Sequence, residues 1–230
     1  MQSKIGDLKN DLVGDTPRWR RKPDQRPKDI LDGALTEFRA KGFKGARIED
    51  IAAQAGLSKG SVYLYFDSKE DILKALVDST VKPITEALNG FATQSLIALP
   101  EAPLGNAANT LRTMLHFAAN KILDPKISAV PLMIIAEAGN FPEFIQTYRD
   151  EVMEIVMAAV ESVISKGISS GEFRKLDPHL TMRSLMGIMI MQIIWNGVFL
   201  RANEKPIPAE ELMNAHIDLF LNGACAHQEN

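Results

Sequence analysis

The stretch Ile48–Phe66, IEDIAAQAGLSKGSVYLYF, decides how the chain is read. Ile48, Ile51, Ala52 and Ala55 recur at three- and four-residue steps, which places them on one face of a short helix. Gly56 follows, and glycine can take the left-handed backbone that ends a helix without a Cβ clash. Ser58 then suits the N-cap of a second helix, because its hydroxyl can accept an orphan backbone N–H. In that helix Val62 and Phe66, four apart, turn inward, leaving Lys59, Ser61, Tyr63 and Tyr65 outside. A short helix with a cation, a hydroxyl and phenols on its free face, held crosswise by its predecessor, has the make-up of a DNA recognition helix.

The flanks extend this unit. A first helix is expected from Pro27 to Lys41, with Ile30, Leu31, Ala34, Leu35 and Phe38 as its apolar stripe and Gly42 as its end. After the second short helix, Ser68 with Asp71 three residues on reads as a capped start of a fourth helix, which Pro83 bends or breaks. Residues 1–26 are polar and proline-bearing and are expected to form a flexible arm, in which Arg18, Arg20, Arg21, Lys22 and Arg26 surround Trp19. Such an arm can lie along phosphates or simply be solvated.

From about Arg26 to Lys74 the chain resembles the TetR family of transcriptional regulators. The resemblance is carried by ILDGALTEFRAKGF, GARIEDIAAQAGLSKGSVYLYF and SKEDIL, with Gly42-Phe43, Gly56-Leu57-Ser58, Gly60, Tyr63, Tyr65-Phe66 and Lys69-Glu70 in register. It implies DNA contacts at Tyr63, Tyr65 and Lys69. It also implies a homodimer joined through the last two helices, where Leu185, Met189, Ile193 and the Leu212, His216, Leu219 face are expected to pair. The chain departs from the family pattern at Arg47, where a threonine is usual, so the hydroxyl cap of the second helix is missing and Arg47 is expected to supply a phosphate contact instead. By role, Lys59, Ser61 and Tyr63 are expected to reach base edges or phosphates, Ser58 to sit at the helix start, Gly60 to admit the backbone to the groove, and Tyr65 and Lys69 to grip phosphate. For Tyr63 the alternative is packing on the first helix.

Charge is divided in the same sense. Residues 1–66 hold 13 Lys and Arg against 9 Asp and Glu, and residues 67–230 hold 13 against 20, so a basic end sits on an acidic body despite the net charge of −3. The body reads as further helices over 104–123, 128–138 with Pro131 in the first turn, 141–168, 178–200 and 208–224, with no convincing strand. The apolar run between Arg183 and Arg201 is read as a buried helix rather than a membrane span. The fold expected is all-α: an arm over 1–26, a helix–turn–helix unit over 27–73, and a helical effector-binding and dimerisation domain over 74–230.

Enzymatic chemistry is not indicated. The chain lacks a phosphate loop, a dinucleotide glycine motif, HExxH and GxSxG, and its four histidines lack metal-ligand spacing, so no cofactor or metal is expected. The single cysteine, Cys225, excludes an intrachain disulfide, and an N-terminus without an apolar leader points to the cytoplasm. A small-molecule effector site is expected between the body helices, drawn from His116, Phe117, Met133, Glu137, Tyr148, Met189, Gln192 and Trp195, with Met114 and Phe199 nearby. For any one of these the alternative is core packing. The function expected is a repressor that binds double-stranded operator DNA and is released by its effector. The alternative is a helical protein–protein adaptor without sequence-specific DNA binding.

Overall fold

The computed structural model describes residues 25–99, 102 and 105–224. The expected basic arm, apart from Gln25 and Arg26, lies outside the described residues, as does Cys225. Every regular element among the described residues is helical. The order is α1 (Arg26–Gly45), α2 (Ile48–Gln54), α3 (Lys59–Tyr63), α4 (Lys69–Thr80), α5 (Lys82–Ile97) and α6 (Ala107–Ile122), then α7 (Pro125–Glu137), α8 (Pro142–Tyr148), α9 (Glu154–Ser169), α10 (Pro178–Ile194) and α11 (Ala209–Ala224). Wide π turns, Arg149–Met153 and Trp195–Phe199, join α8 to α9 and extend α10.

Local chemistry sets most boundaries. Gly42 breaks α1 at φ 70°, a left-handed value that a side chain would strain. Ser68 caps α4 by accepting from Asp71 N, and its hydroxyl donates to the Asp71 carboxylate at 2.7 Å. The expected break near Pro83 falls at Val81, with Pro83 in the first turn of α5, where no N–H is needed. Two boundaries differ from expectation. Asp124 caps α7 and Pro125 opens it, so Pro131 lies mid-helix and buried rather than in the first turn. The helix expected over 141–168 is interrupted at Arg149–Met153, where Lys82 of α5 reaches Glu151 at 2.6 Å as well as its own neighbour Asp78 at 2.7 Å. Hydrogen bonds to Asp78 and then Glu151 hold the Lys82 ammonium above its ordinary pKa.

Two cores result. The first joins Ile30, Phe38, Phe43, Ile51, Val62 and Ile72 from α1–α4 to Ala129, Val130, Met133 and Ile134 of α7. The second is built by α5, α6, α9, α10 and α11 around Leu111, Met114, Ile164, Leu185 and Met213. The helix–turn–helix unit therefore completes its core with a helix of the body. Burial of that apolar surface at roughly 25 cal/mol per Å² is the main attraction between them.

The apolar run of α10 is not buried all round, as the sequence suggested. Met182, Leu185, Met189 and Ile193 are buried, whereas Leu180, Met191, Trp195 and Val198 are half exposed or more. Pro178–Phe199 is the one helix among the described residues long and apolar enough to cross a membrane. This changes the expected pairing surface. Leu185, Met189 and Ile193 face the protomer's own core, while His216 is half-buried and donates to the Leu185 carbonyl at 3.0 Å. Exposed apolar side chains on these helices are Leu180, Ile190, Met191, Trp195, Val198 and Phe199 of α10 and its π turn, with Leu219 of α11.

Candidate DNA interface and adjoining cavity

The turn between α2 and α3 closes with two complementary bonds. Leu57 N donates to Ala52 O at 2.8 Å and Gly56 N to Ala53 O at 3.1 Å, with Gly56 at φ 68°. This is a Schellman ending, which satisfies the last α2 carbonyls and needs the left-handed glycine. Ser58 then caps α3, accepting from Ser61 N at 3.1 Å and sharing a hydroxyl bond with Ser61 at 2.8 Å. Val62, fully buried, pins the short helix to the core. Gly33 permits the crossing beneath: a Cβ there would lie 3.0 Å from Ile51 O.

Lys59 and Tyr63 are exposed on the outer face of α3, and Ser61 is half-buried. Tyr63 is 44 % exposed, so it does not pack away against α1. Gly60 is exposed, and a Cβ there would meet nothing nearer than Ser58 Oγ at 4.0 Å. The fold itself therefore does not require a glycine at 60. Arg47 is exposed at the N-cap position of α2 and makes no capping bond. Tyr65 is half-buried against the first core. Leu64 is 78 % exposed beside Tyr63.

The two lysines differ from expectation in their surroundings. Lys59 is not a free cation: it pairs with Glu49 of α2 at 2.6 Å, a hydrogen bond that raises its pKa and lowers that of Glu49. Both ends are about half exposed, so the pair is weak. Lys69 was expected at phosphate, yet its ammonium donates to Phe43 O at 2.8 Å, Ala46 O at 2.9 Å and Lys44 O at 3.4 Å. It also lies 4.8 Å from the Phe43 ring centroid. It holds the carbonyl end of α1 to the start of α4. Sequence spacing could not reveal this, because the acceptors are backbone atoms some 23 to 26 residues away.

The expected effector residues do not converge. Met133 and Tyr148 belong to the first core, where burial pushes the Tyr148 phenol up to about 12. Phe117 and Met189 belong to the second, with Phe117 edge-on to Phe91 at 5.4 Å, and Met114 is fully buried there. His116 is half-buried on α6. Glu137 accepts from Asn140 Nδ2 at 2.7 Å at the end of α7. Gln192 is buried and donates to Asn196 Oδ1 at 3.0 Å, while Trp195 is 49 % exposed beside Phe199.

An open cavity of about 760 Å³ lies elsewhere, walled by Phe38, Arg39 and Gly42 of α1, the end of α6, α7, and the segment 196–208. Of the eight expected effector residues, Met133 alone lines it. Its other residues come from segments distant in sequence, none with a motif, so no pattern in the chain marked them.

These features agree with the comparisons. Residues 30–76 match the family described as bacterial regulatory proteins, tetR family, and residues 102–203 match the tetracyclin repressor-like C-terminal domain. The chain belongs to the TetR family. The HTH-type transcriptional repressor KstR2 of Mycolicibacterium smegmatis is 24 % identical over 94 % of the chain and 98 % of its own length. The fatty acid metabolism regulator protein of Bacillus subtilis is 24 % identical over 86 % of the chain and 96 % of its own length. The crystal structure of the TetR-family regulator PfmR from Thermus thermophilus superposes with a TM-score of 0.67 at 24 % identity, covering 84 % of this chain and 97 % of that one. This TetR-family protein is a transcriptional regulator, not an enzyme, and its helix–turn–helix is the family's DNA-binding element.

Proposed function

We propose that this TetR-family regulator is a cytoplasmic homodimeric repressor that holds a palindromic operator until a small molecule enters its body. Residues 27–73 would bind DNA, through Arg47, Ser58, Lys59, Gly60, Ser61, Tyr63 and Tyr65, and residues 74–230 would hold effector and partner protomer. The observation that carries the reading is the cavity shared by α1, α6, α7 and 196–208. An occupant touches the DNA-binding unit and the body at once, so it can favour one relative placement of the two and thereby change DNA affinity. The apolar face of α10 and its π turn supports pairing with a second copy, which would set two recognition helices at successive major grooves. The names of the relatives, one a repressor and one a regulator of fatty acid metabolism, favour repression and an effector with an apolar body.

The test is titration of a labelled fragment from upstream of the protein's own gene, at two salt concentrations, against random competitor DNA. The expected result is tight, competitor-resistant binding that weakens with salt and is lost in Lys59→Ala/Tyr63→Ala without loss of the folded dimer. Binding no better than to random DNA, on this fragment and on fragments selected from the genome, refutes the reading in favour of an adaptor.

A further inference from the structure

We propose that the cavity between α1 and α7 takes an amphiphile with an apolar body and one anionic head, and that Arg39 reads the head. The inference deepens the effector reading above and rests on it. The volume, about 760 Å³, lies within the roughly 300–1,000 Å³ usual for small-molecule sites. Its walls are chiefly apolar, with Leu123, Ala129, Leu132, Met133, Val198 and Ile207 among them. The polar side chains that line it are Arg39, Asn120, Asp124, Ser128 and Asn196.

Arg39 forms no hydrogen bond or ion pair with the described residues, and its guanidinium cannot give up its charge. Ser128 is only 8 % exposed, yet its hydroxyl makes no hydrogen bond within the described residues. Its oxygen is not cut off from solvent, so a group in the cavity can meet it. Asn196 accepts from Gln192, which leaves its own NH₂ unengaged. The acid on the rim, Asp124, is in use as the cap of α7, taking Lys126 N at 2.8 Å. Donors at Arg39, Ser128 and Asn196 are thus left open, while one oxygen of the rim carboxylate is engaged by Lys126 N. A carboxylate or similar head answers that pattern, and a cationic head would face Arg39. Arg39 stands on α1, three residues before the break at Gly42, so the head would be held by the DNA-binding unit and the apolar body by α7 and 196–208.

The probes are decanoate and 1-decanol, which share a chain and differ in the head. Each is titrated by calorimetry into the full-length protein, Arg39→Gln and Ala136→Trp. Arg39 and Ala136 are both exposed at the cavity, so the variants should fold; a thermal melt checks this. The expected result is decanoate bound at least about tenfold tighter than decanol, from a charge-assisted bond. Arg39→Gln should erase that preference and leave decanol unchanged, and Ala136→Trp should weaken both. The protein's net charge of −3 opposes a non-specific preference for the anion. Equal binding of the two probes, a preference that survives Arg39→Gln, or binding of neither overturns the proposal. The experiment contains no DNA, so its failure leaves the operator reading standing, and an operator titration that fails leaves this result intact.

Discussion

Lys69 offers a test in which a structural and a DNA-contact role give different numbers. In Lys69→Met the stem still covers the Phe43 ring, but the ammonium is gone. The carbonyls of Phe43 and Ala46, which it meets at 2.8 and 2.9 Å, lose a partly buried charged donor. Bonds to charged groups contribute about 1.5–3 kcal/mol each, and partial exposure places these two near the lower end. The bond to Lys44 O at 3.4 Å adds little. The loss is therefore about 3 kcal/mol, or a fall in Tm of roughly 6–12 °C for a chain of this size. Urea unfolding at one fixed protein concentration measures it, since association adds a mass-action contribution. The slope of DNA affinity against salt should be unchanged, because no phosphate contact is removed. A loss below about 1 kcal/mol, together with a salt slope lower by about one, would refute this reasoning and return Lys69 to the phosphate backbone.

Other perturbations follow from the same geometry. Glu49→Gln releases Lys59 and removes an anion beside α3; gel-shift titration should show affinity up several-fold at low salt and a steeper salt dependence. Ser58→Ala removes the cap of α3 and should lower stability by about 1 kcal/mol in urea titration. Tyr148 has a folded pKa of about 12, above the ordinary 10.0, so the folded state keeps a proton that the unfolded state gives up. Its contribution is whole below pH 10 and lost as pH rises from 10 to 12, by up to about 2.5 kcal/mol, and urea midpoints over that range should fall less in Tyr148→Phe. Met191→Asp, on the exposed face of α10, should give a folded monomer in sedimentation with operator binding lost.

Legibility in the sequence followed the range of the interactions. The α2–α3 turn was readable because its determinants are adjacent: Gly56 for the left-handed ending, Ser58 for the cap, Val62 for the anchor. The start of α4 at Ser68 and the break before Pro83 were readable for the same reason. The start of α7 was less legible, because Asp124-Pro125 and Pro131 both carry start signals and only the first pair opens the helix. The expected effector residues are polar or polarisable side chains in apolar helices, a pattern that does not fix which helices face one space. The fold distributes them between two cores and the surface instead.

Most helices, the helix–turn–helix and the family were legible in the chain alone, since caps, glycines and three-to-four spacing act within a few residues. Tertiary structure alone decided which face of α10 stays open, because that helix is apolar all round and only packing distinguishes Leu185 from Met191. It also decided that Lys69 caps α1, and that a cavity lies against Arg39 and Ser128. These depend on backbone carbonyls and on spaces between helices, and neither has a residue type by which a sequence can announce it.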